Sequence, residues 1–168
     1  CRDYKRLADG DLGPNTGGMG GYSRPADATP DLLRWVADNV LRITLDGMAH
    51  EGTPYRGALY AGLMLTRDGP KVLEFNCRFG DPEAQLVLPL LDSSLLEVCQ
   101  AVAEGERLAM PQWRDGSTYG VVLAADGYPD APRRGDAIAA LGDVVPEVDA
   151  FHGGTEWRGA ELCTSGGR

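Results

Sequence analysis

The chain is short of positive charge: 16 Lys and Arg stand against 25 Asp and Glu, for a formal net charge of −9. That balance argues against a nucleic-acid surface, because phosphate backbones need clustered Lys and Arg. It leaves a nucleotide site open, since a few placed cations and a divalent metal carry the charge there. The sequence contains no run of about 18 apolar residues and no signal-like start, so we expect a cytoplasmic protein without a membrane partner. Histidine is scarce, at two residues, and Cys1, Cys77, Cys99 and Cys163 lie far apart with no Cys-x-x-Cys and no neighbouring His. A zinc site is thereby disfavoured and reduced structural thiols are expected, with Cys77 facing the core beside Phe75. No internal repeat is evident.

What is present suits one ordinary domain or two small ones, and 43% hydrophobic residues suffice for a core. Glycine is abundant, at 23 residues, about twice its usual share of roughly 7%. Residues 1–28 show little apolar periodicity and much Gly, Pro, Asn and Asp, which predicts a short strand followed by a long ordered loop. Thr29-Pro30 marks a helix start; Leu32, Leu33, Val36, Val40, Ile43 and Met48 then recur at helical spacing until Gly52. His50 falls late in this helix, where a cation suits the negative end of the dipole, and it receives no catalytic role. The apolar runs 56–66 and 70–76, separated by Arg67-Asp68-Gly69, predict an antiparallel hairpin. Residues 84–103 read as an apolar helix that Pro89 bends or splits. Beyond 111–116 the pattern changes to short strands and turns, with strands predicted at 118–125, 128–135, 144–152 and 160–164.

The run from Leu73 to Gln85 places charge where an apolar strand would simply continue. Side chains alternate along a strand, so Val72, Glu74 and Asn76 are expected on one face and Leu73 and Phe75 on the other. Glu74 and Asn76 sit about 6.6 Å apart along the chain, close enough to offer two oxygens to one hard cation or a pair. Arg78 follows on the same parity with a planar fork suited to phosphate or carboxylate. Such a stripe suggests a magnesium-phosphate site, the alternative being charges solvated at a strand edge. Gly80-Asp81-Pro82-Glu83, two further carboxylates on a turn before a helix, favours the site.

Arg78-Phe79-Gly80-Asp81-Pro82-Glu83-Ala84-Gln85 resembles the signature of the phosphoribosylamine-glycine ligases, a family of the ATP-grasp superfamily. Asp3-Tyr4-Lys5-Arg6, the glycine-rich stretch from Gly10 to Ser23, Tyr55-Arg56-Gly57, the run from Leu59 to Met64, the run from Ala124 to Pro129, and His152-Gly153-Gly154-Thr155 are similar to further motifs of that family, in the family's order. Together they cover essentially the whole chain. One departure is Arg24, which stands where the family has Pro after Tyr-Ser, and this leaves the exit of the glycine-rich loop open.

The resemblance implies an amide synthesis in which ATP activates a carboxylate as an acyl phosphate, a reaction of positioning and charge neutralisation. Glu74 and Asn76 would hold Mg2+ or Mn2+ against the nucleotide phosphates; Arg78 and Asp81 would act in catalysis, Arg78 by neutralising the transferring phosphoryl group. Asp81 and Glu83 would orient the substrate amine or hold Arg78, and helix capping accounts for them equally well. The loop 14–21 would cradle the acyl phosphate on its N–H groups, flexibility being the other reading. Nucleotide or substrate would then be bound by Lys5, Asn15, Thr16, Gly17 and Gly18, although Lys5 and Arg6 also fit as solvated cations. His152 and Thr155 are expected to be structural or to contact substrate, with His152 no general base.

The expected fold is α+β: the C-terminal lobe of an ATP-grasp domain, an antiparallel sheet with helices, over 1–112, then a small truncated β-rich domain over 113–168. The implied ligase joins glycine, through glycyl phosphate, to 5-phosphoribosylamine, giving glycinamide ribonucleotide for purine synthesis, with ATP as co-substrate. Nothing in the chain matches the family's N-terminal domain or nucleotide-lobe lysine, so it reads as an incomplete portion, inactive by itself. Two rivals are an ATP-grasp ligase with a different amine acceptor and a folded module without chemistry.

Overall fold

In the computed structural model, which describes residues 1–139 and 148–168, the chain divides into two units, each assembled from two stretches: 1–2 with 22–119, and 3–21 with 120–168. Helices and antiparallel strands coexist, the expected α+β class. β1 (Arg2–Asp3), β4 (Gly20–Tyr22) and β7 (Tyr119–Val121) are short strands that pair in the order β1-β4-β7. Among the described residues no helix is long and apolar enough to cross a membrane.

In the first unit Thr29 caps helix α1 (Pro30–Val36), its hydroxyl accepting from the Leu32 N–H at 3.2 Å, while Pro30 occupies the first turn, where its missing donor costs nothing. The helix continues through a wider π-type stretch, Ala37–Leu41, into α2 (Arg42–His50). The predicted helix is present, but its apolar face differs from the expected one. The π turn holds one residue more than an α turn and so rotates the later residues about the helix axis. Val40 is 6% exposed, Ile43 three residues later is 61% exposed, and Thr44 is half-buried instead, its hydroxyl donating to the Val40 carbonyl at 2.7 Å.

Strands β5 (Tyr60–Thr66) and β6 (Gly69–Asn76) form the predicted antiparallel hairpin. The Thr66 hydroxyl spans its turn, donating to the Gly69 carbonyl at 2.8 Å and accepting from the Asp68 N–H at 3.2 Å, and Gly69 takes a φ of 92°. Thr66 faces Gly69 and Leu63 faces Val72; a bulge then adds Leu73 to β6, so that Gly62 faces Glu74 and Tyr60 faces Asn76. Paired residues share a face and neighbours alternate, so Glu74 and Asn76 lie together but opposite Val72, correcting the three-residue stripe. Phe75 and Cys77 are both exposed, so the expected burial of Cys77 in the core is also corrected.

Pro89 does split the next helix. Helix α3 (Glu83–Val87) passes into one 3-10 turn, Leu88–Leu90, and α4 (Leu95–Glu104) starts afresh under a Ser94 cap, whose hydroxyl accepts from the Glu97 N–H at 3.3 Å. Leu86 of α3 is 2% exposed, and its carbonyl accepts from the Thr118 hydroxyl. Arg24 takes a φ of 49°, which a proline ring cannot adopt, and its guanidinium donates to the Arg114 carbonyl at 2.6 Å. The loop exit is thus built around Arg24 itself.

In the second unit β2 (Arg6–Ala8) and β3 (Leu12–Asn15) form a short hairpin, tied by the Arg6 guanidinium donating to the Gly13 carbonyl at 2.7 Å. The predicted single strand and long loop are therefore replaced by several short strands. The strand predicted at 128–135 is absent. Pro129 and Pro132 lack the donors a ladder needs, and the backbone turns instead, with the Ala131 N–H on the Gly127 carbonyl at 2.8 Å and the Arg133 N–H on the Asp126 carbonyl at 2.7 Å. A closing hairpin, β8 (Thr155–Arg158) and β9 (Glu161–Thr164), buries Leu162 and Cys163. Of the strand predicted at 144–152, residues 144–147 lie outside the described residues, and 148–152 form none.

Leu86→Ala is expected to cost about 2–5 kcal/mol, because it opens a cavity in a closed site. Leu96→Ala, at a position 77% exposed, should stay within about 0.5 kcal/mol. Urea titrations of the two variants check this ordering.

Candidate functional site

The predicted site residues fall into two groups, one in each unit. In the first unit the end of the β5–β6 hairpin and the turn after it carry Glu74, Asn76, Arg78, Asp81 and Glu83. Glu74 and Asn76 share one face, and among the described residues neither side chain makes a hydrogen bond or ion pair. Their oxygens are available to a hard cation. Room for the Glu74 side chain comes from Gly62 opposite: a Cβ there would lie 3.0 Å from Glu74 Cγ and 3.4 Å from Tyr60 Cε1. The described residues contain no cluster of three or more His, Cys, Asp or Glu fit to hold a metal. The pair offers two oxygen donors, so a cation held there would need its remaining ligands from elsewhere.

Arg78 is exposed, and its guanidinium donates to the neighbouring Phe79 carbonyl at 2.8 Å. Asp81 is exposed as well and accepts from Gln85 Nε2 at 3.3 Å. Glu83 differs from both. It is 6% exposed, caps no backbone N–H of α3, and accepts a hydrogen bond from the Tyr60 hydroxyl at 2.8 Å. Gly80 leaves the space its carboxyl group fills, since a Cβ there would sit 2.6 Å from Glu83 Cδ. Nearby, the Tyr55 hydroxyl donates to the Ala58 carbonyl at 2.8 Å; desolvation first, and the Cys77 thiol second, hold its titration above the usual tyrosine range.

In the second unit the glycine-rich loop is bonded along its backbone. The N–H of Thr16 reaches the Lys5 carbonyl at 2.7 Å, that of Gly17 the Tyr128 hydroxyl at 3.2 Å, that of Gly18 the Thr16 hydroxyl at 3.1 Å and that of Met19 the Tyr4 carbonyl at 2.8 Å. The expected row of free donors is not available over these four residues. Two cations meet the loop: Lys5 Nζ donates to the Gly17 carbonyl at 3.4 Å and Arg168 Nη1 to the Gly18 carbonyl at 3.1 Å. Lys5 is also paired with the largely buried Asp3 at 2.5 Å. A side chain at Gly17 would meet the Arg168 guanidinium, with Cβ 2.8 Å from Cζ. Asn15, on β3 opposite Arg6, is exposed. His152 and Thr155 meet each other, His152 Nδ1 lying 3.3 Å from the Thr155 hydroxyl. Between them, the Gly154 N–H donates to the Arg168 carbonyl at 2.6 Å, so Arg168 joins the loop to this turn.

Sequence reasoning gave no role to Tyr60, Gly62 and Gly80 in the first group or to Asp3, Tyr128 and Arg168 in the second, although all but Arg168 fall within motifs it singled out. Strand parity would have found Tyr60 and Gly62 had the bulge at Leu73 been known. The contacts of Arg168 and Tyr128 carry no local signal, because their partners lie 150 and 111 positions away.

The first 84 residues match the family described as phosphoribosylglycinamide synthetase, ATP-grasp (A) domain, and residues 118–168 match the phosphoribosylglycinamide synthetase C domain. The chain is 52% identical to the trifunctional purine biosynthetic protein adenosine-3 of Gallus gallus, aligning over 100% of its own length and 17% of that protein. It is 49% identical to the phosphoribosylamine-glycine ligase of Caulobacter vibrioides, over 100% of its own length and 40% of the ligase. A crystal structure of phosphoribosylamine-glycine ligase from Thermotoga maritima superimposes with a TM-score of 0.78 at 41% identity, covering 99% of this chain and 41% of that one. The hairpin with its Glu74 and Asn76 face lies within the stretch matched to the ATP-grasp domain, and on these grounds the chain belongs to the phosphoribosylglycinamide synthetase family.

Proposed function

We propose that this chain serves the ATP-dependent ligation of glycine to 5-phosphoribosylamine, through glycyl phosphate, to give glycinamide ribonucleotide in purine biosynthesis. The observation that carries the reading is the shared face of Glu74 and Asn76, with no protein partner for either side chain among the described residues, leading into Arg78 within the matched ATP-grasp stretch. Glu74 and Asn76 hold the divalent cation, Mg2+ or Mn2+. That ion neutralises the nucleotide phosphates when bound. Arg78 turns from the Phe79 carbonyl to the transferring phosphoryl group, where a planar fork serves better than a point charge. Asp81 and Glu83 orient the substrate amine. In the second unit Lys5, Asn15, Thr16, Gly17 and Gly18 bind nucleotide or acyl phosphate, the two glycines shaping a bonded loop and Lys5 supplying charge. His152 and Thr155 contact substrate at their turn. The break between the matched stretches supports reading 1–112 as the ATP-grasp lobe and 113–168 as the β-rich domain. Four free thiols are in keeping with a reducing compartment, the cytoplasm, and the partners are small molecules rather than nucleic acid or membrane.

In the ligase carrying this segment, Glu74→Gln is expected to lower kcat at least about 100-fold with the thermal transition unchanged, the scale of losing one preorganised electrostatic contact. Steady-state assays across a magnesium titration read this out, and a near-normal rate at limiting magnesium would refute the metal assignment. Arg78→Lys keeps the charge and loses the fork. It should cost about 2 kcal/mol or more in kcat/KM, close to a 30-fold loss, and equal activity of the Lys variant would return Arg78 to a surface role.

A further inference from the structure

We propose that Tyr60 is a positioning residue for Glu83, and that by fixing this carboxylate it sets the enzyme's affinity for an amine-bearing substrate. The inference rests on the reading above, in which Glu83 contacts that amine. Glu83 is buried to 6% exposure, yet among the described residues no Lys, Arg or His pairs with it. A desolvated carboxylate held by one neutral hydroxyl is costly unless further donors complete it, and the N–H groups of a substrate amine are the chemical class that does so. The structure fixes the group from two sides. Tyr60 donates to Oε1 at 2.8 Å, and the absent side chain of Gly80 leaves the pocket that the carboxyl group fills.

Tyr60 stands where it does because of the hairpin register. It pairs with Asn76 and, two residues before Gly62, shares the face of Glu74. One ring thus reaches from the cation-ligand stripe to the carboxylate beyond it. Loss of its hydroxyl frees one carboxylate oxygen and leaves the strand, the ring and the stripe in place. The consequence is specific: binding of one substrate weakens and that of ATP does not.

The test is steady-state kinetics on the ligase carrying this segment, with glycine, 5-phosphoribosylamine and ATP varied separately, for Tyr60→Phe, Glu83→Gln, Gly80→Ala and the Tyr60→Phe/Glu83→Gln double variant. Tyr60→Phe is expected to raise KM for one of the two amines about tenfold, the scale of a hydrogen bond to a charged group, with KM for ATP unchanged. Which amine responds identifies the ligand. Glu83→Gln should raise the same KM at least as far, and the double variant should match Glu83→Gln alone, because Tyr60 acts through Glu83. Gly80→Ala, whose new methyl would fall on the carboxyl group, should raise the same KM by a second route and decides the matter if Tyr60→Phe yields no folded protein. Losses that add in the double variant, a uniform rise in all three KM values, or an unchanged KM in Tyr60→Phe and Gly80→Ala beside an impaired Glu83→Gln would overturn the positioning role alone. An unaffected Glu83→Gln would remove the contact between Glu83 and the amine, and the proposal with it.

Discussion

A β-strand gives its side chains to two faces in strict alternation, and the β5–β6 hairpin interrupts that alternation once, at Leu73. A single inserted residue reverses the facing of everything beyond it. Without the bulge, Glu74 would sit opposite Ala61 and share the face of Val72. With it, Glu74 meets Gly62 and Asn76 meets Tyr60, so the oxygen donors gain a glycine for clearance and a tyrosine to reach the next carboxylate. The face carrying Glu74, Asn76, Tyr60 and, through Tyr60, Glu83 follows from one backbone irregularity. A bulge beside a functional stripe re-aims side chains that the strand alone would aim elsewhere.

The second unit reaches rigidity by a different route. Its glycine-rich segment has the composition of a flexible loop, yet four successive N–H groups are satisfied internally, and the Gly17 and Gly18 carbonyls take Lys5 and Arg168. Glycine here provides close approach rather than mobility: the Arg168 guanidinium occupies the space a side chain at Gly17 would need. Small residues let a cation and a backbone touch, and the contacts then hold the backbone. The charge presented there belongs to Lys5 and Arg168, with Asp3 beside Lys5.

Much of this was legible from residue order. Thr29-Pro30 gave the helix start, Arg67-Asp68-Gly69 the hairpin turn and Pro89 the helix split, because each acts through its own backbone geometry. The shared face of Glu74 and Asn76 was legible for the same reason. The failures came where one extra residue changed a period, at the π turn of 37–41 and at Leu73, since no local composition marks such an insertion. They came again at 128–135, where Pro129 and Pro132 lack the donors a strand ladder needs. The role of Glu83 stayed open between capping and chemistry because its partner, Tyr60, lies on another element.

The division of the second unit into 3–21 and 120–168 bears on how the chain is made. Residues 3–21 leave the ribosome before 120–168, so Gly17 must wait for Tyr128, 111 positions later, and Gly18 for Arg168, 150 positions later. At about 5–20 residues per second that wait is on the order of ten seconds. A hydrophobic segment left unpaired for so long would invite aggregation. The segment that waits here is rich in Gly and Asp and offers little apolar surface for another chain to adhere to, so the composition that shapes the finished loop also suits the nascent one to its wait.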